Sequence, residues 1–284
     1  IMRGREFIMK DMYSYSVSEQ AHQKFYDQVT QAYLRVFDRV GLGESTFLTF
    51  ASGGAFTQFS HEFQTITDAG EDTVYLHRHK KIAINEEVLT DDVMAQLGVK
   101  REELEKVKTA EVGNIFSFGD TKSKQLDLYF VDEDGATKPV ILGSYGIGIT
   151  RLTGVIVEHF ADDKGIVWPE NIAPAKVYLA QLGDSKEVIK AADELYTQIT
   201  AEGIEVIFDD RDNRAGEKFA DADLLGAGDE LAQERVVDVF VEEEAGAGGA
   251  ALAGVGEDGE EGAGDGLVQI GVGEDDVGAF AAEL

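Results

Sequence analysis

A run of nine residues, Gly143 to Arg151, contains the residue types that bind a polyphosphate. It reads Gly-Ser-Tyr-Gly-Ile-Gly-Ile-Thr-Arg, and apolar residues recur at helical spacing after it. Glycines let a ligand approach the backbone, and the guanidinium of Arg151 offers a planar set of donors to phosphate oxygens. A helix that begins at Arg151 would add the positive end of its dipole. The run therefore predicts a phosphate site at Gly146, Gly148 and Arg151, although a packing or turn device would show the same glycines.

The first residues of the chain predict a second part of this site. Arg3 precedes Phe7 by four residues, in a stretch where apolar and polar side chains alternate. Such alternation is typical of a strand, so one strand would carry a phosphate contact at Arg3 and an aromatic plate at Phe7. An ordinary core position for Phe7 is the alternative interpretation.

Both stretches resemble signature motifs of class II aminoacyl-tRNA synthetases. The spacing from Arg3 to Phe7 resembles the second half of their motif 2, and the run that ends at Arg151 resembles their motif 3. Further phrases resemble bacterial-type prolyl-tRNA synthetases, over residues 1 to about 226. These phrases are Arg5-Glu6-Phe7-Ile8-Met9-Lys10-Asp11-Met12-Tyr13-Ser14, Ser60-His61-Glu62-Phe63, Gly70-Glu71-Asp72-Thr73, Val112-Gly113-Asn114-Ile115-Phe116 and Gly165-Ile166-Val167-Trp168-Pro169.

The resemblance implies a proline-tRNA ligase that uses ATP and Mg²⁺. Enzymes of this kind join the carboxylate of proline to the α-phosphate of ATP, release pyrophosphate, and pass the prolyl group to tRNA(Pro). Arg3 and Arg151 match the catalytic positions that hold the γ-phosphate, and Phe7 matches the ring that stacks on adenine. Gly146 and Gly148 complete the implied ATP site. The chemistry asks the protein mainly for positioning and electrostatic stabilisation.

The resemblance also implies a proline pocket, which needs an apolar wall and an anion near the substrate ammonium. Met9, Asp11 and Tyr13 share one face of a strand if the side-chain period is two. They would supply the wall, the counter-charge and a lid. An ordinary core position for Met9 is the alternative interpretation.

Four more residues belong to the implied pocket. Phe116 and Ser144 match pocket positions of the family, and His61 and Glu62 are expected near them in less defined roles. Phe116 as an ordinary core residue is the alternative. Asn114 stands where many relatives have histidine, so this part of the pocket wall departs from the family pattern.

A third phrase, from Asp209 to Leu224, resembles the sheet edge with which relatives read anticodon bases. Arg211, Arg214 and Lys218 are the implied tRNA contacts, since arginine suits exposed guanine edges of an unpaired loop. The alternative is a solvated loop in which these cations pair with the adjacent aspartates.

The patterns around these residues predict an α+β class II synthetase catalytic domain, an antiparallel sheet with helices, at residues 1–170. A helix is expected over residues 19–40, capped by Ser16 or Ser18, and another from Arg151. Strands are expected near residues 47–51, 62–68, 126–131 and 140–142, the last two joined as a hairpin by the turn at residues 132–135.

A small α/β anticodon-binding domain is predicted at residues 174–243. Its pattern is a strand at 176–182, a helix at 185–201, a strand at 205–208 and a helix from about 216, with a further strand near 235–241. The closing strands of the family cannot be found in the sequence, so this domain is expected to be incomplete. Residues 244–284 are expected to form a disordered, low-complexity acidic tail.

The charge of the chain is concentrated at its end. Of the net charge of −30, residues 226–284 contribute −15, with sixteen Asp and Glu residues against Arg235 alone. The body is therefore acidic to a degree that still permits local tRNA binding. Without cysteines or an apolar run of eighteen residues, the chain is expected to be cytoplasmic, with no membrane span. No metal-ligand spacing is found; His77-Arg78-His79 is interpreted as part of a solvated basic patch.

Some family features are missing from the sequence. Motif 1, a Thr-x-Glu loop and the first motif 2 arginine would lie upstream, so the chain is expected to be a C-terminal piece with little or no activity alone. A homodimer is expected of the full-length family. Fewer than forty residues separate Thr73 from Val112, too few for an editing domain, so we expect no hydrolysis of alanyl-tRNA in cis; hydrolysis by the pure chain would contradict this.

Two other functions remain open from the sequence. A catalytically silent synthetase-like protein would bind tRNA or regulate a partner. A scaffold would use its acidic tail to dock on a basic partner, in a strongly salt-sensitive way.

Overall fold

The computed structural model describes residues 2–53 and 59–226, and three strands farther along the chain. The described structure divides into two compact units, Ile1–His159 and Phe160–Leu284. Most of the predicted acidic tail lies outside the described residues. Within the described ranges, none of the helices is long and apolar enough to cross a membrane.

The first long helix, α1 (Glu19–Arg39), follows from its local sequence. The side chain of Ser18 caps it by accepting a hydrogen bond from the backbone N–H of Ala21. Glu19 in the first turn and Arg39 in the last complement the helix dipole. Its buried residues recur every three or four positions, so α1 packs along one stripe. The predicted helix and its cap at Ser18 are confirmed.

Seven strands form the main sheet of the first unit, in the order β1-β9-β6-β3-β2-β5-β4. They are β1 (Met9–Ser16), β2 (Thr46–Ser52), β3 (Phe59–Ile66), β4 (Asp72–His77), β5 (Ile82–Asn85), β6 (Glu105–Gly119) and β9 (Ile141–Gly148). All pairs are antiparallel except β2 with β5. The fifteen-residue β6 is long enough to pair with β4 at its start and with β3 and β9 farther on. One side of the sheet therefore curls back on itself.

Three shorter helices and a small hairpin complete the first unit. The helices are α2 (Asp91–Leu97), α3 (Thr121–Gln125) and α4 (Ile149–Phe160), and the hairpin joins β7 (Tyr129–Val131) to β8 (Thr137–Pro139). The residues between Thr73 and Val112 form strands of the main sheet, α2 and the short 3₁₀ turns and loops that connect them.

Three details differ from the sequence prediction. Arg3 and Phe7 precede β1 instead of sharing its strand, because pairing with β9 begins only at Met9. The hairpin forms around the expected turn, where Asp132 Oδ1 accepts backbone hydrogen bonds from Asp134 and Ala136. Its second strand is β8, however, because residues from Ile141 onward pair in the main sheet. Helix α4 begins at Ile149, ahead of Arg151.

The second unit confirms the predicted β-α-β-α order. Its elements are β10 (Val177–Leu182), α5 (Lys186–Ala201), β11 (Val206–Asp209), α6 (Ala215–Leu225), β12 (Val237–Glu243), β13 (Ala250–Gly254) and β14 (Val268–Gly271). The sheet order is β11-β10-β12-β13-β14, parallel from β11 to β12 and antiparallel beyond. Strands β13 and β14 were not expected, because glycine and alanine have low strand propensity.

The boundary between the two compact units falls between His159 and Phe160, earlier in the chain than the predicted boundary near residue 170. The segment before β10 joins the second unit through hydrogen bonds to the end of α6. Ile166 N donates to Leu224 O over 3.3 Å, and Trp168 Nε1 donates to Leu225 O over 2.9 Å. These hydrogen bonds join residues that are far apart in sequence, so the sequence alone does not predict them.

Candidate active site

A cleft of about 120 Å³ opens on the first unit where the start of the chain meets β6, β9 and α4. Four of the five predicted ATP-site residues line it: Phe7, Gly146, Gly148 and Arg151. The other lining residues are Met2, Gly4, Met9, Glu111, Val112, Gly113 and Asn114. Phe7 is 53% exposed, so the alternative of a core aromatic is wrong.

Two glycines of β9, Gly146 and Gly148, line the cleft without adding a side chain to it. A Cβ atom on Gly146 would lie 3.4 Å from both Asn114 Oδ1 and Met9 Sδ. One on Gly148 would lie 3.7 Å from the Cβ of Arg151. Any side chain at these positions would therefore extend into the space beside Met9, Asn114 and Arg151. The backbone of β9 can line the cleft because both residues lack a side chain.

Arg151 projects from the first turn of α4 and is held in place by several acceptors. Its Nε donates to Met2 O over 3.0 Å, and its Nη1 donates to Glu111 O over 2.8 Å. Glu111 Oε2 lies 3.3 Å from the same Nη1, and Glu111 Oε1 accepts from Asn114 Nδ2 over 2.9 Å. The guanidinium is thus oriented in a partly buried site, where charge-assisted hydrogen bonds are strong.

Glu111 was missed by the sequence prediction. It precedes the motif-like phrase that starts at Val112, and nothing in its sequence context distinguishes it from other surface acids. Only the pairing of β6 with β9 brings it beside Arg151.

Arg3 does not line the cleft. Its Nε forms an ion pair of 2.7 Å with Glu71 Oε2, and both side chains are about half exposed. The structure therefore separates Arg3 from Arg151, with which the sequence grouped it, while its neighbours Met2 and Gly4 do reach the cleft.

Strand register brings the predicted pocket residues together on one face of the sheet. Residues directly opposite each other in antiparallel strands share a face. Tyr13 lies opposite Ser144, which lies opposite Phe116. The neighbouring row crosses the sheet from β1 to β3. It contains Asp11 of β1, Gly146 of β9, Asn114 of β6 and Glu62 of β3.

The pocket face of β1 is open to solvent. Met9 is 44% and Tyr13 is 54% exposed, so Met9 is not a core residue. The Tyr13 hydroxyl donates to Asp11 Oδ2 over 2.7 Å, and this bond raises the pKa of Tyr13. Met9 also lines the cleft, so the cleft and the two rows lie on the same face.

Glu62 is a mostly buried acid on this face. Its pKa is raised to about 7, mainly by burial and also by the nearby Glu111 and Asp72, while hydrogen bonds from Gln64 and Asn85 oppose the shift. Gln64 Nε2 bridges the two carboxylates, 2.9 Å from Glu62 Oε2 and 2.8 Å from Asp72 Oδ2. Glu62 is therefore partly protonated near neutral pH.

His61 lies on the opposite face of the sheet, so its predicted place in the pocket is wrong. Its Nδ1 is 2.8 Å from the hydroxyl of Tyr26, a residue of α1. Burial lowers the pKa of His61. The error arises because neighbours in a strand point to opposite faces, so His61 and Glu62 cannot both face the pocket.

The predicted tRNA cations of the second unit have different surroundings. Arg211 Nε and Nη2 donate to the two carboxylate oxygens of Asp209 over 2.8 and 2.7 Å, and Nη2 also contacts Asp221 Oδ2 over 2.7 Å. Lys218 is only 1% exposed, and its Nζ donates to Gln181 O and Asp209 O. Arg211 therefore pairs with aspartates, as the alternative interpretation expects. Lys218 is too buried to contact RNA directly, so its predicted role as a tRNA contact is wrong. Arg214 is exposed at the start of α6.

No group of three or more His, Cys, Asp or Glu side chains in the described ranges is arranged to hold a metal ion. His77 instead caps a short 3₁₀ turn, accepting at Nδ1 from Lys80 N.

Comparison with known proteins assigns both units to families. Residues 1–160 match the tRNA synthetase class II core domain (G, H, P, S and T), and residues 176–228 match the anticodon binding domain. The chain is 37% identical over 251 residues to the proline--tRNA ligase of Rhodopseudomonas palustris (strain HaA2), covering 80% of this chain and 57% of that protein. It is 37% identical over 242 residues to that of Rickettsia akari (strain Hartford), covering 80% and 56%. The chain thus spans little more than half the length of these curated relatives.

A solved structure shares the fold. Prolyl-tRNA synthetase from Cryptosporidium parvum, complexed with L-proline and AMP, superposes with a TM-score of 0.62 at 16% identity, covering 99% of this chain and 51% of that one. The predicted fold class, a class II catalytic domain followed by an anticodon-binding domain, is confirmed. More than half of the chain matches one core domain, which includes the glycines of β9 and Arg151 of α4. The chain therefore belongs to the class II tRNA synthetases of the G, H, P, S and T group.

Proposed function

We propose that this chain carries the adenylate-forming site of a proline-tRNA ligase. One observation supports this most: the cleft of Arg151 and the two pocket rows share one sheet face and meet at Gly146 and Asn114. A nucleotide in the cleft would therefore lie beside an amino acid on the rows. Its curated relatives are called proline--tRNA ligases, and the similar solved enzyme is complexed with L-proline and AMP.

ATP would occupy the cleft. Phe7 offers an exposed ring for the adenine, and the bare backbone of Gly146 and Gly148 permits close approach of the nucleotide. Arg151 would hold the γ-phosphate, exchanging its contact with Glu111 for phosphate oxygens. Arg3 would join it by leaving Glu71, since an exposed ion pair is worth only about 0–1 kcal/mol.

Mg²⁺ would arrive with the triphosphate. The described residues offer no preformed carboxylate cage, but Glu111 places one carboxylate at the cleft. This fits Mg²⁺, which commonly binds through one or two carboxylates together with substrate phosphates. When bound, it would neutralise charge on the phosphate oxygens.

Proline would lie on the two rows. Phe116 and Met9 would provide apolar walls, and Ser144 a hydroxyl between Phe116 and Tyr13. Asp11 would face the secondary ammonium, with Tyr13 closing over it. Glu62 is the weaker counter-charge at neutral pH, because its pKa of about 7 leaves it only partly ionised.

The reaction requires little covalent chemistry from the protein. A carboxylate oxygen of proline would attack the α-phosphorus, and the bond to the bridging oxygen of pyrophosphate would break. Arg151 would stabilise negative charge on the departing phosphates. Holding the two anions side by side would provide most of the rate enhancement.

The partners follow from the same assignment. The prolyl group would pass to tRNA(Pro), with Arg214, an exposed residue at the start of α6, as a contact. A cytoplasmic homodimer is the proposed setting of the full-length enzyme, as the family resemblance implies.

The test is calorimetric titration with a non-hydrolysable prolyl-adenylate analogue, with alanyl and threonyl analogues as controls. Micromolar binding of the prolyl analogue, without binding of the alanyl or threonyl analogue, supports the proposal. If the folded chain binds none of them but retains affinity for tRNA, the silent synthetase-like alternative replaces it. A strongly salt-sensitive interaction with a basic partner that disappears when residues 245–284 are deleted would instead support the acidic-tail scaffold.

A further inference from the structure

A polar layer lies behind the pocket, between α1 and the sheet. Helix–sheet interfaces are usually apolar, but here Tyr26, Tyr33 and His22 of α1 each place a polar atom against a strand. His22 Nε2 is 2.9 Å from Ser117 Oγ, and the Tyr33 hydroxyl accepts from Lys10 Nζ over 2.8 Å. Buried polar contacts are directional, so they fix the helix against the strands more tightly than apolar packing would.

Tyr26 occupies the centre of this layer. It is 8% exposed, and its hydroxyl lies 2.8 Å from His61 Nδ1 and 3.3 Å from Ile115 O. Both bonds form together when His61 donates from Nδ1 to the phenol oxygen and the phenol donates to Ile115 O. Its ring also lies against that of Tyr145, with centroids 6.0 Å apart. One side chain thereby contacts β3, β6 and β9.

The same three strands carry pocket residues on their other face. Ile115 stands between Asn114 and Phe116, and His61 precedes Glu62. Tyr145 stands between Ser144 and Gly146. Because side chains alternate between faces, each contact of Tyr26 lies directly behind a residue of the pocket.

We propose that Tyr26 and His61 are positioning residues, which set the spacing of β3, β6 and β9 and thereby the width of the pocket between Phe116 and Ser144. Neither touches the substrate. The proposal deepens the function proposed above and rests on it for its substrate. The claim that Tyr26 and His61 hold the strands at their spacing does not depend on the substrate. Sub-ångström misplacement of substrate-binding groups is costly, so the support behind the strands affects affinity.

The test compares Tyr26→Phe with Thr30→Val. Both variants lose one buried hydroxyl from the same face of α1, but Thr30 Oγ1 donates to Tyr26 O within the helix, over 2.9 Å. Hydrogen–deuterium exchange of residues 112–118 should become roughly fivefold faster in Tyr26→Phe and stay unchanged in Thr30→Val. Affinity for the prolyl-adenylate analogue should fall roughly fivefold in Tyr26→Phe alone, with ATP-analogue affinity within about twofold of the parent.

Variants of His61 make the test independent of any one variant's folding. His61→Asn retains a donor at the position of Nδ1 and should behave as the parent chain. His61→Phe should match Tyr26→Phe, and the double variant should be no worse than either single one, because the two residues act through one hydrogen bond.

Two outcomes are decisive. Unchanged exchange of residues 112–118 in a folded Tyr26→Phe or His61→Phe chain overturns the positioning role. If the parent chain binds no adenylate analogue, the ligase proposal fails, and the exchange comparison still decides whether Tyr26 and His61 hold the strands.

Discussion

The two units treat their candidate functional cations in opposite ways. In the first unit, Arg151 is brought to an accessible cleft beside an open sheet face. In the second, Arg211 is held by Asp209 and Asp221, and Lys218 is buried against backbone carbonyls. Asp209, two residues before Arg211, pairs with it, whereas the acid beside Arg151 is Glu111 of a different strand, at the cleft. The difference shows that sequence motifs locate cations but do not say what they contact.

The largest expected effect concerns the buried cation of the second unit. Lys218→Met keeps most of the side-chain packing but leaves Gln181 O and Asp209 O without their donor. We expect the free energy of unfolding to fall by about 3 kcal/mol. Urea unfolding followed by the fluorescence of Trp168, the single tryptophan, measures it. Unchanged stability with lost tRNA affinity would restore Lys218 as an RNA contact; Lys190→Met, at an exposed lysine of α5, is the control.

Two buried acids should give the units opposite pH dependence. The folded-state pKa of Glu62, about 7, exceeds its ordinary value of 4.5, so its contribution to stability falls by roughly 3 kcal/mol as pH rises from 4.5 to 7. Glu62→Gln should remove this slope. Hydrogen bonds from Arg211 hold the pKa of Asp209 well below its usual range, so its contribution is lost as pH falls below about 3.8.

Urea midpoints of the parent chain and of Glu62→Gln at pH 5 and pH 8 test the first of these slopes. The difference between the two chains isolates Glu62 from other titrating groups. An equal difference at both pH values would show that Glu62 titrates normally.

The arginines of the first unit should differ in importance. Arg151→Ala should weaken ATP-analogue binding by about 10-fold to 100-fold, since it removes oriented, charge-assisted bonds. Arg3→Ala should cost less than roughly fivefold, because Arg3 must break its ion pair with Glu71 to reach the phosphate, and this loss offsets part of its contribution. Calorimetric titration of both variants measures this, and equal losses would mean that the ion pair with Glu71 does not reduce the contribution of Arg3.

The smallest effect is expected at Arg214, an exposed residue at the start of α6. Arg214→Ala should weaken tRNA(Pro) binding about threefold and reduce the salt slope by about 1, as for one phosphate contact. Filter binding at two salt concentrations measures both, with Arg214→Lys as the charge-conserving control. No change in affinity or slope would place the tRNA interface elsewhere.

Several features of the fold were predictable because their causes are local. Ser18 caps α1, the acid-rich turn at Asp132 makes a hairpin, and the β-α-β-α order of the second unit follows from its periodicity. The elements that were missed depend on distant partners. Strand β8 takes the place expected for residues 140–142, since β9 finds its partners in β1 and β6.

The candidate site was predicted in part for the same reason. Gly146, Gly148 and Arg151 lie close together in sequence, so their grouping survives in the structure. Glu111 was missed because it reaches Arg151 only across a strand pair. His61 was misplaced because its orientation depends on strand parity, which a motif does not reveal.

The sequence by itself determined which chemical groups are available: a phosphate-binding arginine after glycines, an aromatic plate at Phe7, and an acid and a phenol at alternate positions of one strand. The tertiary structure decided which of them face the same space. Register sets the face of each side chain, and long-range pairing sets which charges neutralise each other, as for Arg211 and Asp221. Both depend on contacts between residues far apart in the chain, which local propensity does not encode.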